Sequence, residues 1–276
     1  MSTNTPLTIK NLHPMLEHAL AAARQAAAHV HNAFRTHPIA EHKGRVDLVT
    51  RYDRESEGIL RDRLRATSIP VVGEEQGGEG ASGKDEPTWY VDPIDGTTNF
   101  VHGHPFYCVS VGLLVSGRPV LGVVVAPALG IEWTGFVAHD GLPGRAERNG
   151  APCEVSRVAQ FREALLATGF PYDRATSPDN NFDAFVHIKR QCQAVRRCGS
   201  AAIDACFVAD GTYDGYWEKK LQPWDVAAGA AIVVGAGGRI SDYRGDAVDV
   251  RKGALLATNG AIHAALVDAL ATVSAK

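Results

Sequence analysis

Trp89-Tyr90-Val91 is an aromatic, β-branched run that reads as a β-strand, yet it leads straight into two carboxylates, Asp92 and Asp95, three residues apart. Pro93 stiffens the backbone between them, and Gly96-Thr97-Thr98-Asn99-Phe100 follows. A strand-to-turn junction explains the residue types, because Asp, Pro, Gly and Thr all favour turns. It does not explain two acids issuing from a hydrophobic strand, where an unpaired charge is costly. Bound hard cations supply the missing compensation. Mg²⁺ takes oxygen ligands in octahedral geometry and keeps positions open to water or phosphate oxygens. The amides of Gly96 and Thr97, at a turn that can open a helix, are placed to bind phosphate.

The flanking sequence carries both helical and strand periods. Residues 12–34 predict a helix, with Pro14 in its first turn and Leu16, Leu20, Ala23, Ala27, Val30 and Phe34 at helical spacing. A second helix is predicted over 50–65, with Ile59, Leu60 and Leu64 on one face. Strands are predicted over 88–91, 107–115, 120–125 and 131–137, several joined as antiparallel hairpins, and again over 164–168. Beyond these come helices over 180–193 and 200–209, a strand over 213–217, a buried helix over 226–234, strands over 240–243 and 254–257, and a last helix from about 261. Sheets covered by helices, with antiparallel neighbours, predict a layered α/β (α+β) arrangement rather than a simple Rossmann sheet. No repeat divides the chain. The nearest thing to a linker is the glycine-rich, charged loop 76–87.

Composition narrows the function. A net charge of -3 and a pI of about 6.4 provide no basic field for nucleic acid or an anionic membrane, and the basic residues come in pairs rather than in one stripe. No run of about 18 apolar residues could span a bilayer, and residues 1–14 lack a leader pattern. The five cysteines are odd in number and form no C-x-x-C pair, which suits reduced thiols in a cytoplasmic protein.

Five ordered elements resemble the inositol monophosphatase family of metal-dependent, lithium-sensitive phosphatases. The first is Trp89 to Phe100 itself. Trp217-Glu218 through Leu221-Gln222-Pro223-Trp224-Asp225-Val226-Ala227-Ala228-Gly229 is similar to the family's tryptophan-aspartate motif, and Gly73-Glu74-Glu75 to its glutamate pair. Asp47-Leu48-Val49-Thr50 with Asp53 matches an N-terminal element, and Arg197 with Gly199-Ser200-Ala201-Ala202-Ile203-Asp204 resembles the bacterial branch. The resemblance spans nearly the whole chain and implies an αβαβα sandwich like that of the inositol monophosphatases and fructose-1,6-bisphosphatases. One domain over 1–276 is expected, with halves at about 1–150 and 151–276.

The resemblance also implies roles. Glu74, Asp92 and the Ile94 carbonyl hold a first Mg²⁺; Asp92, Asp95 and Asp225 hold a second; a weaker third ion shares Glu74. A metal-activated water attacks in line, oriented by Glu74 and Thr97, with Asp53 supporting Thr97. Substrate contacts fall at Asp95, Gly96, Thr97, Thr98, Ser200, Ala201, Glu218 and Asp225. Residue chemistry leaves rivals for several of these. Asp53 is equally a helix-capping acid after Thr50, Ser200 a natural N-cap, and Asp225 a first-turn acid. Glu75 reads as structural, His102 and His104 as bystanders, and Trp217 and Trp224 as packing. Asp92 as a covalent nucleophile is disfavoured by its spacing. Gly235 stands where family members commonly carry an acid. The expected activity is Mg²⁺-dependent hydrolysis of inositol 1-phosphate by a homodimer, with fructose bisphosphatase or histidinol-phosphatase activity, or a regulatory partner-binding protein, as alternatives.

Overall fold

The computed structural model describes residues 9–43, 47–78, 86–138 and 143–274. Most of the 76–87 loop, and the first residues of the polar N-terminus, therefore lie outside the described residues.

Helix α1 (Ile9–Asn32) buries Leu12, Leu16, Ala19, Ala23, Ala26 and Val30 along one stripe. It starts earlier than the sequence reading placed it, so Pro14 sits in the second turn and has no N–H to give the carbonyl four residues back. A hairpin of β1 (Ala40–His42) and β2 (Leu48–Thr50) leads into α2 (Arg51–Leu64), which Thr50 and Asp53 close with a capping box. Then come β3 (Val71–Gly73), β4 (Pro87–Asp95), the short α3 (Thr97–Val101), β5 (Cys108–Val115), β6 (Arg118–Ala126), β7 (Ile131–Phe136), β8 (Arg145–Arg148) and β9 (Ala151–Pro152). These strands form one sheet in chain order, β3 parallel to β4 and the rest antiparallel.

The second half holds β10 (Leu165–Thr168), α4 (Phe182–Lys189), β11 (Ala194–Arg196), α5 (Ala201–Ala209), β12 (Gly215–Lys219), α6 (Pro223–Gly235), β13 (Arg239–Ser241), β14 (Ala254–Thr258) and α7 (His263–Ser274). Its sheet runs β11-β10-β12-β14-β13, parallel across the first three and antiparallel across the last three.

The layers follow from which faces are apolar. Helices α1 and α2 cover one face of the seven-stranded sheet around Trp89, Leu113 and Leu121. Helices α5 and α6 are buried on nearly every side, as a central layer requires, and they fill the space between the two sheets. Helices α4 and α7 close the far side around Trp217 and Leu256. The expected αβαβα sandwich is what forms. Close approach sets its middle: a Cβ on Gly122 of β6 would lie 2.2 Å from the Ala228 carbonyl of α6. Gly235 is explained in the same way, since a Cβ there would meet the Arg145 carbonyl at 2.4 Å. An acid at that position has no room.

One boundary matters for function. The sequence reading ends the strand at Val91, whereas β4 continues through both acids to Asp95. Its pairing with β5 shifts register between Asp92 and Asp95. Pro93 cannot donate to the ladder and the Ile94 amide turns to Asp92 Oδ1 at 2.9 Å, so the strand bulges and re-aims its side chains.

Candidate active site

A cavity of about 700 Å³ opens where β4, α3, α5, β12 and α6 meet, and Glu74, Asp92, Asp95, Thr97, Glu218 and Asp225 all line it. Each acid is presented by the end of an element. Asp92 and Asp95 come from the β4 bulge, and Glu74 follows β3. Asp225 lies in the first turn of α6, where its Oδ2 accepts the Gln222 amide at 2.7 Å. Asp95 Oδ2 accepts Ser200 Oγ at 2.6 Å and the Ala202 amide at 2.7 Å, tying β4 to the start of α5. Among the described residues, donors reach one oxygen of Asp92 (Oδ1) and one of Asp225 (Oδ2), leaving the other oxygen of each for a different partner.

Asp92 and Asp95 are buried, and the other acids of the site raise the cost of ionising Asp92. Burial pushes the Asp92 carboxyl well above its usual range, and Glu74, Asp95 and Asp225 push it further. Asp225 is raised by burial and then by Asp95. Asp95 is raised by burial, against the pull of its Ser200 and Ala202 donors. Glu74 rises to about 7 through burial, although Lys43 Nζ at 3.0 Å opposes the shift. Lys43 also pairs with Glu75, and the two acids together raise its ammonium in spite of burial.

Thr97 stands beside the acids. Its hydroxyl lies 3.0 Å from Asp53 Oδ1 and 2.9 Å from the Ile94 carbonyl. The other Asp53 oxygen accepts the Thr50 amide and hydroxyl, each at 2.7 Å. The capping bonds to Thr50 and the contact with Thr97 thus coexist on Asp53, one per oxygen.

Across the cavity, Glu218 is raised to about 7 by burial while Tyr216 donates to it at 2.7 Å. Gly169 makes room for it, because a Cβ there would lie 2.0 Å from the carboxylate. Ser200 caps α5 through the Ile203 amide and donates to Asp95, so its hydroxyl is committed; Ser200 and Ala201 still line the cavity, as do Gly96 and Thr98. His102 and His104 are exposed and lie outside the lining. Trp217 is buried packing, but Trp224, read from sequence as packing too, also lines the cavity. The sequence reading missed the wall made by Phe170, Tyr172 and Arg174, and it missed Asn99 as a strut. The Asn99 amide donates to Phe106 O at 2.7 Å and Cys198 O at 2.8 Å.

The donor set can be tested against a cation. No lysine or arginine among the described residues pairs with Asp92, Asp95 or Asp225. Among those residues no three His, Cys, Asp or Glu side chains stand close enough together to form a finished ligand shell. An oxygen-only set this short of positive charge fits a hard divalent ion.

Comparison with known proteins decides the relationship. The profile described as the inositol monophosphatase family matches residues 11–275. The chain belongs to the inositol monophosphatase family. Inositol-1-monophosphatase of Synechocystis sp. is 42% identical over 265 residues, covering 95% of this chain and 90% of that one. Nus factor SuhB of Pseudomonas aeruginosa is 36% identical over 267 residues, covering 93% and 95%. The solved inositol monophosphatase of Anabaena (Nostoc) sp. superposes with a TM-score of 0.85 at 38% identity, covering 96% of this chain and all of that one. As a member of this family, the protein is a phosphatase of the hydrolase class. No helix among the described residues is long and apolar enough to cross a membrane.

Proposed function

We propose that the protein hydrolyses a small phosphorylated polyol, with inositol 1-phosphate as its type substrate and Mg²⁺ as its cofactor. The observation that carries this is the gathering of Glu74, Asp92, Asp95 and Asp225 in one cavity with no arginine or lysine paired to its three aspartates among the described residues. Glu74, Asp92 and the Ile94 carbonyl would hold one ion and Asp92, Asp95 and Asp225 a second, with a third sharing Glu74. When bound, such ions acidify water and neutralise charge on the phosphate and the leaving oxygen.

The chain's own groups do the rest. The Thr97 hydroxyl has one proton and two acceptors within reach, so its lone pairs are left to accept a hydrogen bond from the attacking water. Glu74 orients the same water. Asp53 fixes the Thr97 rotamer. The amides of Gly96, Thr97 and Thr98 receive the phosphate, and the left-handed Gly96 (φ 96°) lets the chain turn beneath it. Glu218 accepts a substrate hydroxyl, and Ser200 and Ala201 bound the alcohol end through their backbone.

The name of the Synechocystis relative supports inositol phosphate, and the five free cysteines support a reducing, cytoplasmic setting; a homodimer is the assembly we expect. A partner-binding protein without catalysis has no need of a full acid set. The test is phosphate release from inositol, fructose, histidinol and nucleotide phosphates. Inositol 1-phosphate should rank first, and a panel in which it is not turned over would refute the substrate reading.

A further inference from the structure

One turn of α2 touches three separate pieces of the site. Asp53 holds Thr97, Ser56 donates to the Pro93 carbonyl at 3.1 Å, and Glu57 reaches the turn that carries Glu74. Glu57 is 0% exposed. Its Oε2 accepts the Glu75 amide at 2.7 Å, and its Oε1 accepts the Gln76 amide at 3.1 Å and Arg61 Nε at 2.7 Å. Arg61 completes the clamp by donating to the carbonyls of Val71 and Gly77, one on each side of the turn. Gly73 is glycine because a Cβ would lie 2.4 Å from the Glu57 carboxyl carbon. The turn therefore has no side chain of its own where the buried carboxylate enters.

We propose that Glu57, charge-paired with Arg61, is a positioning residue that fixes the backbone of Glu74-Glu75-Gln76 and so sets where the Glu74 carboxylate stands in the cavity. This rests on the reading of Glu74 as a ligand and water-orienting group. Two amides held by one carboxylate are charge-assisted bonds, stronger than neutral ones, and they act on the residues that follow Glu74 directly. Lys43 restrains Glu74 from the side-chain end, and Glu57 restrains it from the backbone end.

The experiment titrates Mg²⁺ into full-length wild type, Glu57→Gln, Glu57→Ala and, as a control, Leu64→Ala, a buried position on the same helix beyond the clamp. Two readouts are taken: half-saturating Mg²⁺ for turnover of inositol 1-phosphate, and the Mg²⁺-induced rise in melting temperature. Loss of charge-assisted bonds to the turn should raise half-saturating Mg²⁺ at least about tenfold in Glu57→Ala and less in Glu57→Gln, which keeps one acceptor. The thermal response to Mg²⁺ should weaken in the same order. Leu64→Ala should melt earlier yet keep the wild-type Mg²⁺ midpoint. Wild-type midpoints in Glu57→Gln and Glu57→Ala alike, or an equal shift in Leu64→Ala, would overturn the positioning role while leaving the site intact. A wild type indifferent to Mg²⁺ in both readouts would overturn the underlying site reading as well.

Discussion

Replacing Asp92 by asparagine should make the metal-free protein more stable while removing its activity. Asp92 is 2% exposed, and its carboxyl is raised by burial and by the neighbouring acids Glu74, Asp95, Asp225 and Asp53. Asparagine keeps the shape, and its carbonyl oxygen can still accept the Ile94 amide. What disappears is a buried like charge. Two unit charges about 6 Å apart repel by about 3 kcal/mol at an effective dielectric of about 20, so a net gain of about 1–3 kcal/mol is expected. For a chain of this size each kcal/mol moves the midpoint by about 2–4 °C. The pH dependence follows from linkage. A carboxyl raised in the fold binds its proton more tightly there than in the unfolded chain, so its destabilising effect is absent below the unfolded value and grows as pH rises toward the folded one. Melting curves in chelator should thus coincide near pH 4, with Asp92→Asn moving ahead of wild type toward pH 8. With Mg²⁺ the order should reverse, because only wild type gains from the ion. A variant that melts lower than wild type in chelator at pH 8 would refute the claim that these acids are held together against their own repulsion.

Three further outcomes follow from the geometry. Thr97→Val keeps the volume but loses the hydroxyl between Asp53 and Ile94, and it should lower kcat by at least about 100-fold with KM little changed; a larger effect on KM than on kcat would contradict its role toward water. Glu218, held at about 7, should make KM for inositol 1-phosphate rise as pH falls below 7, and Glu218→Gln should raise KM about tenfold at neutral pH and flatten that profile. Steady-state kinetics from pH 5.5 to 8.5 decides it. Gly169→Ala should reproduce the KM defect of Glu218→Gln in the same assay, since its Cβ would displace that carboxylate.

How far the sequence could be read depended on whether a residue's role shows in its own neighbours. Asp92 and Asp95 stand in a local pattern that is odd without a cavity to serve, Glu74 and Asp225 were legible only through their resemblance to the family's motifs, and the structure places all four in one cavity. The long helices and the β5–β7 meander carry clear periods, and they lie within a few residues of where the periods put them. The β4 bulge was hidden because Pro93 and two acids look like the end of a strand, when they are a strand re-aimed. Strands β1, β3, β8, β9 and β11 are two to four residues long, too short for alternation to register. Glu57 was hidden for another reason. On a helix whose legible face is Ile59, Leu60 and Leu64, a glutamate reads as solvated, and only the distant Gly73 betrays the space it occupies. Tyr172 and Arg174 sit in a loop with no period, and only the fold turns them toward the cavity.

The most direct test of the whole account is the initial rate of phosphate release from inositol 1-phosphate as free Mg²⁺ is raised from zero, buffered by chelator, to millimolar levels. The account predicts no turnover without the ion and saturable activation with it. Release that proceeds at full rate in chelator, or none at any Mg²⁺ concentration from folded protein, would contradict it.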